Sequence, residues 1–308
     1  MSDPRTVVLA LGGNALIRPG ETGTVEEQAA RAREVAQLLA SFPPRTRLTV
    51  THGNGPQVGR ILLRSDLCID EIPGIPLDLA VASSQGEIGT LLMQAFRGAL
   101  ARPVVGLISH VRVELSDPAF QDPRKYVGRF YTEDEARLRA LTLGWTVRED
   151  PGRGWRRVVP SPVPTEVVEL DAIAVLLDLG CLVVACGGGG VPLADTPAGL
   201  VSVEAVVDKD RASALLARRL DADQLIILTG VDEVMIDFAT PHQRALRELS
   251  AQELRAHYQA GQFPKGSMGP KVEAALSYLE QGSGSVLITS PECLAEALAH
   301  RRGTWIRP

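Results

Sequence analysis

The 308-residue sequence predicts an α/β fold, with a mainly parallel β-sheet covered by helices on both faces. Short apolar runs alternate along the chain with longer segments whose apolar residues recur at helical spacing. Three of the apolar runs end in glycine-rich turns, which is typical of the edge of an open parallel sheet where ligands bind. With 45% hydrophobic residues, the chain is long enough to bury a substantial core.

The first half of the chain contains three predicted strands and two predicted helices. Residues 6–11 form an apolar run that stops at a glycine pair, which predicts a buried strand. A helix is predicted over residues 24–42, because Thr24 and Glu27 have the spacing of a capping box and the apolar residues that follow lie near one face. A strand, a helix and a strand are then predicted over residues 46–51, 78–101 and 103–109.

The second half repeats this alternation. Apolar runs predict strands over residues 181–186, 224–229 and 285–289. Ser250 with Glu253 forms a second capping box, and Ser290 before Pro291 places a capping serine ahead of a proline at the first helical position. The predicted helices cover residues 166–179, 208–220, 251–260, 270–281 and 291–299.

Residues 115–165 interrupt the alternation of strand and helix. The segment is rich in proline, and the turn at residues 150–152 lies between residues 145–147 (WTV) and 155–159 (WRRVV), which predicts a hairpin. We interpret the segment as an excursion from the sheet that serves as a lid. The alternative is a long loop without function, although long insertions in compact domains are more often functional or disordered.

Composition argues against several classes of partner. The net charge of −5 does not favour a nucleic-acid partner. No apolar run approaches the length that crosses a bilayer, and the N-terminus lacks the pattern of a signal peptide, so we expect no membrane partner. The four cysteines form no CxxC pair and the histidines lack ligand spacing. We therefore expect reduced thiols in a cytoplasmic protein and no structural metal.

Lysine is scarce, and its positions are informative. Of 32 basic residues only four are lysine: Lys125, Lys209, Lys265 and Lys271. A coding bias toward arginine explains the total, but lysine suits sites that need a compact, mobile charge. Lys209 follows Asp208, a predicted N-cap, and Lys271 follows Pro270, which suits the first helical position. Both lysines therefore fall in the first turns of predicted helices, where a cation opposes the helix dipole by about 0.3–1 kcal/mol. Local pairing, for example with Asp208 or Asp210, explains either lysine alone. Both together favour a cationic cradle for a phosphate.

The glycine-rich turns point to the same chemistry. Glycine lets the backbone approach an anion closely, and the helix that follows adds the positive end of its dipole. One such turn is weak evidence, but three at equivalent places predict a phosphate site. The sequence contains neither GxGxxG nor GxxxxGK[ST], which excludes a dinucleotide-binding fold and a P-loop enzyme. The three turns are Gly12-Gly13-Asn14, Gly53-Asn54-Gly55 and Gly187-Gly188-Gly189-Gly190.

The sequence resembles the carbamate kinases, a group with the amino acid kinase fold. The matching segments follow one another in order over nearly the whole chain, and THGNGPQVG and GSMGPKVEAA are long enough to make chance a poor explanation. The segments are ALGGNAL (10–16), THGNGPQVG (51–59), SQGEIG (84–89), DPAF (117–120), GWRRVVPSP (154–162), CGGGGVPL (186–193), VEAVVDKDRASALLA (203–217) and GSMGPKVEAA (266–275).

The resemblance implies an open αβα sandwich with a central, mainly parallel sheet and a small protruding lid subdomain. An N-terminal lobe of residues 1–220, with the lid at about 115–165, would bind carbamate or carbamoyl phosphate. A C-terminal lobe of residues 221–308 would bind the nucleotide. The implied reaction is reversible phosphoryl transfer between carbamoyl phosphate and ADP, by a homodimer. Mg²⁺ would accompany ATP or ADP, held mainly by phosphates and water. The residues leave open a role in arginine, purine or cyanate catabolism.

The resemblance also assigns residue roles. It implies that Lys125, Lys209 and Lys271 are catalytic and that Asp210 orients the lysines. The implied substrate and phosphate site consists of Gly12, Gly13, Asn14, Gly53, Asn54, Gly55, Gly187 and Gly188. The implied nucleotide site consists of Lys209, Lys271, Asp232, Met235, Met268 and Gly269.

Five positions depart from the residues usual in carbamate kinases: His110, Tyr126, Arg129, Val163 and Gly230. Most lie in or near the lid, so lid geometry and the identity of the acyl substrate stay open. A kinase of the same fold that acts on another small acid or phosphate acceptor is one alternative. A non-catalytic sensor of carbamoyl phosphate or nucleotide is a second, against which the three retained lysines argue. The glycine turns make a purely structural protein the weakest alternative.

Overall fold

The structure is a computed structural model that describes residues 5–12, 16–18, 20–264, 266–280, 282 and 284–308. Its strands are β1 (Thr6–Leu11), β2 (Arg47–His52), β3 (Val104–Gly106), β4 (His110–Val113), β5 (Lys125–Tyr131), β6 (Val147–Asp150), β7 (Gly154–Val159), β8 (Pro164–Val167), β9 (Leu182–Val184), β10 (Val191–Thr196), β11 (Gly199–Ser202), β12 (Gln224–Leu228), β13 (Val234–Ile236), β14 (Arg244–Leu246), β15 (Glu248–Ser250), β16 (Ser285–Thr289) and β17 (Thr304–Arg307). Its α-helices are α1 (Val25–Leu38), α2 (Gly55–Leu67), α3 (Leu77–Ala99), α4 (Glu133–Leu143), α5 (Leu170–Asp178), α6 (Lys209–Arg219), α7 (Ala251–Gln259), α8 (Met268–Leu279) and α9 (Leu294–Leu298).

An eight-stranded sheet forms the centre of the molecule, in the order β15-β17-β16-β12-β1-β2-β9-β3. All its neighbouring pairs are parallel except β16 and β17. This confirms the predicted α/β fold with a mainly parallel sheet. Side chains of β1 alternate between two buried cores, with Val8 and Ala10 in one and Val7, Leu9 and Leu11 in the other. Because both faces of β1 are buried, its sequence is an unbroken apolar run.

Most capping signals in the sequence mark helix starts, but the one at Ser290 does not. The predicted helix over residues 291–299 begins only at Leu294, after Cys293, and Ser290 Oγ accepts the Cys293 N–H at 3.2 Å in the turn before it. The capping boxes at Thr24 and Ser250 are both formed, at the start of α1 and α7. Asp208 caps α6, as its sequence position suggested. Helix α8 begins at Met268, two residues before the predicted start at Pro270. The proline is tolerated there because the backbone N–H groups of a first turn have no partner within the helix.

Several elements differ from the sequence predictions. The strands that were not predicted include β4, β10, β11, β13, β14, β15 and β17. The predicted helix over residues 166–179 begins only at Leu170, and the residues before it form β8, which pairs antiparallel with β4. Pro164 and the β-branched residues of β8 favour an extended strand, and β4 provides the partner. Helix α2 was not predicted, because its first residues Gly55 and Pro56 look like a loop. Proline is compatible with the first turn of a helix, and α2 begins there.

The segment that interrupts the alternation forms a small sheet of its own. Strands β5, β7 and β6 pair antiparallel in that order, and α4 connects β5 to β6. The predicted hairpin is confirmed, with Asp150 opposite Gly154 in the β6–β7 pair. Strands that precede and follow this small sheet in the chain form another sheet, in the order β11-β10-β4-β8. Strands β13 and β14 form a two-stranded ribbon. None of the helices in the described part of the chain is both long and apolar enough to cross a membrane.

Candidate active site

A cavity of about 280 Å³ lies where the lid meets the carboxyl ends of strands β2 and β9. Two of the three predicted glycine turns and two of the predicted lysines contribute to its wall. The lining residues include Gly53, Asn54, Gly55, Pro56, Lys125, Tyr126, Val127, Gly128, Arg156, Gly188, Val206, Val207, Asp208 and Lys209. A parallel sheet commonly binds ligands at this edge, so the cavity is a candidate active site.

A buried carboxylate holds two of the lysines together. Asp210 is 3% exposed and accepts hydrogen bonds from Lys209 Nζ and, at 3.0 Å, from Lys271 Nζ. Burial alone would raise the pKa of Asp210, but the two ammonium groups outweigh it and lower the pKa to about 2. Asp210 is therefore ionised at neutral pH and fixes both lysines beside the start of α6.

The third lysine reaches the same helix from the lid. Lys125 is the first residue of β5, and its Nζ donates to Asp208 Oδ2 at 3.1 Å. Asp208 Oδ1 in turn accepts the backbone N–H of Asp210 at 2.9 Å, which caps α6. The fold thus brings together Lys125, Lys209 and Lys271, which are far apart in the sequence. The fourth lysine, Lys265, lies outside the described residues.

The turn before α2 leaves the start of that helix open to the cavity. Asn54 precedes α2 but does not cap it; its Nδ2 donates to Ser84 Oγ at 2.8 Å. The backbone N–H groups of the first turn of α2 are consequently available to an anion. Gly188 packs so closely here that a Cβ would overlap the Asn54 amide, and its φ is +62°. A Cβ on Gly187 would lie 2.5 Å from the His52 ring. Both glycines let the two turns approach each other.

The first glycine turn is only partly described. Gly13 and Asn14 lie outside the described residues, and so their assignment to the substrate site stays a prediction. A Cβ on Gly12 would lie 2.9 Å from the Leu228 carbonyl oxygen. Glycine at this position therefore allows close approach between the ends of β1 and β12. Phosphate binding by Gly12 also stays a prediction.

The predicted nucleotide-binding residues fall in two places. Met268 and Gly269 are the first residues of α8, three and two residues before Lys271, so they lie close to that lysine along the chain. Met235 lies on β13. Asp232 accepts from Ser290 Oγ at 2.6 Å and from Arg302 Nη1 at 3.2 Å. These contacts tie Asp232 to the C-terminal strands, and its role in nucleotide binding stays a prediction.

Sequence reasoning missed two residues of the cavity wall. Asp208 was recognised as a cap, but not as the partner of Lys125. Arg156 lines the cavity, donates from Nη2 to the Gly128 carbonyl at 3.0 Å and lies 4.9 Å from the Phe130 ring centre. Burial lowers the pKa of the Arg156 guanidinium. One sequence signal could have identified Arg156: it lies in GWRRVVPSP, one of the segments that carry the resemblance to carbamate kinases.

Three departures in and near the lid have structural partners. His110 binds Glu169 through both its backbone N–H and Nδ1, each at 2.7 Å. The guanidinium carbon of Arg129 lies 4.5 Å from the Tyr131 ring centre. The backbone N–H of Val163 donates to Asp117 Oδ2 at 2.9 Å.

Tyr126, a fourth departure, borders the lysine-lined cavity, and its hydroxyl donates to the Glu149 carbonyl at 2.7 Å. A larger cavity of about 350 Å³ lies between helices α2 and α3 and the lid. None of the predicted site residues lines it, so the lysine-lined cavity is the stronger candidate despite its smaller volume.

The site combines lysines, carboxylates and an open helix terminus at the carboxyl ends of parallel strands. These features define the class of protein as an α/β phosphotransferase, because phosphoryl transfer needs charge stabilisation and no nucleophile from the protein. The chain belongs to the amino acid kinase family, whose sequence profile matches residues 5–290.

Similar proteins match the chain over its whole length. It is 44% identical to the carbamate kinase of Pyrococcus horikoshii over 313 residues, which cover 99% of this chain and 100% of that protein. It is also 44% identical to carbamate kinase 3 of Staphylococcus aureus over 310 residues, 98% of this chain and 99% of that one. The solved structure of the Giardia lamblia carbamate kinase bound to AMP-PNP is 39% identical. It superposes with a TM-score of 0.93 over 100% of this chain and 99% of that chain.

Proposed function

We propose that this protein catalyses reversible phosphoryl transfer between carbamoyl phosphate and ADP, giving ATP and carbamate, which then yields ammonia and CO2. The observation that carries the proposal is the meeting of Lys125, Lys209 and Lys271 around two aspartates beside one cavity. Similarity to carbamate kinases along the whole chain supports the choice of substrate.

The proposed mechanism uses charge and position. The open N-terminus of α2 and the turn at residues 53–55 would bind the transferring phosphate through backbone N–H groups. Lys125 and Lys209 would neutralise the equatorial oxygens as negative charge spreads in the transition state. Asp210 would keep Lys209 and Lys271 oriented, and Lys271 would bind the β-phosphate end of the nucleotide.

The remaining assigned residues would hold the two substrates. Carbamate would lie against Gly12, Gly13 and Asn14, together with the turns at residues 53–55 and 187–188. The nucleotide base would lie against Met268 and Gly269, with Met235 and Asp232 at its border.

We propose Mg²⁺ as the cation that accompanies the nucleotide. No group of three or more His, Cys, Asp or Glu side chains in the described part of the chain is arranged to hold a metal. Asp208, which lines the cavity, and Asp210, two residues further along the chain, already bind lysines. This donor set fits a cation held mainly by phosphate oxygens and water, as Mg²⁺ prefers. The cation would neutralise charge on the phosphates.

One assay tests the proposal directly. Purified protein is mixed with carbamoyl phosphate, ADP and Mg²⁺, and ATP is measured by a coupled reaction. We expect ATP formation that depends on both substrates, with Lys209→Ala as the impaired variant. An intact, folded protein that makes no ATP from these substrates would contradict the proposal.

A second candidate is a kinase of another small acid. The observation that favours it is Tyr126, which borders the cavity at a position where carbamate kinases usually have proline. ATP consumption with carbamate, acetate and phosphonate acceptors separates the two candidates. A faster reaction with acetate or a phosphonate than with carbamate would favour the second.

We also propose that the enzyme is a cytoplasmic homodimer that acts in arginine metabolism. The segment 67–79 carries exposed apolar side chains, among them Leu67 at 75% exposure, and a second copy of the chain could cover them. Four free cysteines suit a reducing compartment. Light scattering should give twice the mass of the 33.0 kDa chain, and a monomer would contradict the dimer.

A further inference from the structure

Asp208 stands between the lid and helix α6, and its two carboxylate oxygens bind different parts of the molecule. Oδ1 accepts the backbone N–H of Asp210 at 2.9 Å and caps α6. Oδ2 accepts the Lys125 ammonium at 3.1 Å. A single carboxylate therefore joins the lid strand β5 to the helix that carries Lys209 and Asp210.

Lys125 needs such a partner, because its place in the lid does not fix its side chain. It is the first residue of β5, and its side chain is 46% exposed. A lysine side chain has many rotamers, and the entropy of these rotamers opposes its being held in one position. The Asp208 side chain is 15% exposed and is already anchored through its other oxygen. It is the better fixed of the two groups.

We infer that Asp208 is a positioning residue for the phosphoryl transfer: it holds the Lys125 ammonium at the cavity before substrate arrives and docks the lid on α6. The inference rests on the proposed function, because it gives Lys125 a part in the transfer. Asp208 acts through Lys125 and not on the reacting atoms. Around the cavity, three lysines and Arg156 exceed two aspartates by two positive charges, so the site still attracts an anionic phosphate.

The competing explanation is that Asp208 only caps α6, and three substitutions separate the two roles. Asp208→Asn keeps an oxygen that caps a helix and loses the ion pair. Asp208→Ser also caps a helix, but it is too short to reach Lys125. Asp208→Ala loses both contacts. Asp178→Asn, which removes an ion pair with Arg47 at the surface, is the matched control for the change in charge.

We expect Asp208→Asn and Asp208→Ser to lower kcat roughly 10–100-fold, the scale of a misplaced catalytic group. KM for carbamoyl phosphate should not rise, because each substitution removes a negative charge beside an anion site. In the Lys125→Ala background, Asp208→Ser should cause no further loss of kcat. Asp178→Asn should keep the wild-type kcat.

Three kinetic results would overturn the inference. A wild-type kcat in both Asp208→Asn and Asp208→Ser would show that Asp208 acts only as a helix cap. A raised kcat would mean that Asp208 competes with the substrate for Lys125. Losses that multiply in the Lys125→Ala background would show that Asp208 acts independently of Lys125.

Hydrogen exchange tests the tether without any assay of activity. In the protein without substrates, amides of residues 125–131 should exchange faster in Asp208→Ser than in the wild type, while those of α6 stay unchanged. Equal exchange in the lid of the two proteins would overturn the inference. If the wild type made no ATP from carbamoyl phosphate and ADP, the proposed function would fail, and this measurement would still decide whether Asp208 holds the lid.

Discussion

At the scale of single residues, His52 shows how burial controls a titration beside the site. It is the last residue of β2; its Nδ1 lies 3.1 Å from the Gly53 carbonyl oxygen, and Gly187 packs against its ring. Burial lowers the pKa of His52 to about 4, the hydrogen bond to Gly53 opposes this, and the charge of Lys209 lowers the pKa further. The ring is therefore neutral at physiological pH and acts as packing behind the glycine turn.

A pH dependence of stability follows from this shift. The unfolded His52 titrates near 6.5 and the folded one near 4, so as pH falls the unfolded chain takes up the proton first. The free energy of unfolding should consequently fall by about 3 kcal/mol between those two pH values. His52→Gln should lower stability near neutral pH and flatten this slope in urea unfolding curves. The exposed His242→Gln should keep the wild-type slope, and an unchanged slope in His52→Gln would contradict the assignment.

A second prediction for a single residue concerns the part of Lys209 in turnover. Lys209→Ala should lower kcat roughly 10²–10³-fold, the effect of losing one preorganised charge donor. The fold should survive, because Lys271 still pairs with the buried Asp210. Turnover and the urea midpoint of the purified variant measure the two effects separately. Near-normal turnover would remove Lys209 from the mechanism.

At the scale of helices and strands, local signals predicted what local physics decides. The caps at Thr24, Asp208 and Ser250 are set by side chains within three residues of the backbone groups they bind. Strand β8 depends instead on β4, more than 50 residues earlier in the sequence, which is why its last two residues were assigned to a helix. Sequence patterns do not encode such a partner.

The candidate active site shows the same difference between local signals, which the sequence contains, and long-range contacts, which it does not. Scarcity of lysine identified the residues that the fold brings together at Asp208 and Asp210. The contact between Lys125 and Asp208 joins residues 83 positions apart. It depends on how the lid folds back over α6, and no local pattern indicates that. Arg156 enters the cavity wall for the same reason, through the pairing of β7 with β5.

The next prediction concerns the motion of the lid when substrates bind. Lys125 lies on β5, outside the main sheet, and already contacts Asp208 at the start of α6. Its proposed role requires that bound substrate fixes residues 115–165 more tightly over the site. Amide exchange in this segment should slow when carbamoyl phosphate and ADP are added, more than exchange in β1 or β12. Lys125→Ala should lower kcat and leave ADP affinity almost unchanged, because the nucleotide would lie beyond Lys271. Unchanged exchange together with wild-type turnover in the variant would show that the lid has no part in the reaction.

At the scale of the whole molecule, the main sheet runs across the division between the two predicted lobes. β1, β2, β9 and β3 come from residues 1–220, and β12, β15, β16 and β17 come from residues 221–308. The joint is the parallel pair of β1 and β12, with Val7 opposite Gln224 and Ala10 opposite Ile227. One buried core contains Val8 and Ala10 together with Leu225 and Ile227. Separating the two parts would expose this core on both sides.

Such a joint predicts that the sheet unfolds as one unit, although chains of this length often unfold through intermediates. Trp305 is buried in β17, whereas Trp145 and Trp155 belong to the lid. The double variant Trp145→Phe/Trp155→Phe therefore leaves Trp305 as the single tryptophan, on the strand next to the edge strand β15. Its urea transition by fluorescence should coincide with the loss of far-ultraviolet circular dichroism and of ATP formation at the same protein concentration. Separating β1 from β12 would expose buried apolar area on both parts. Each exposed Å² costs about 25 cal/mol of free energy, which disfavours a state with only one part folded. A fluorescence transition clearly separate from the loss of secondary structure would show that residues 221–308 unfold independently.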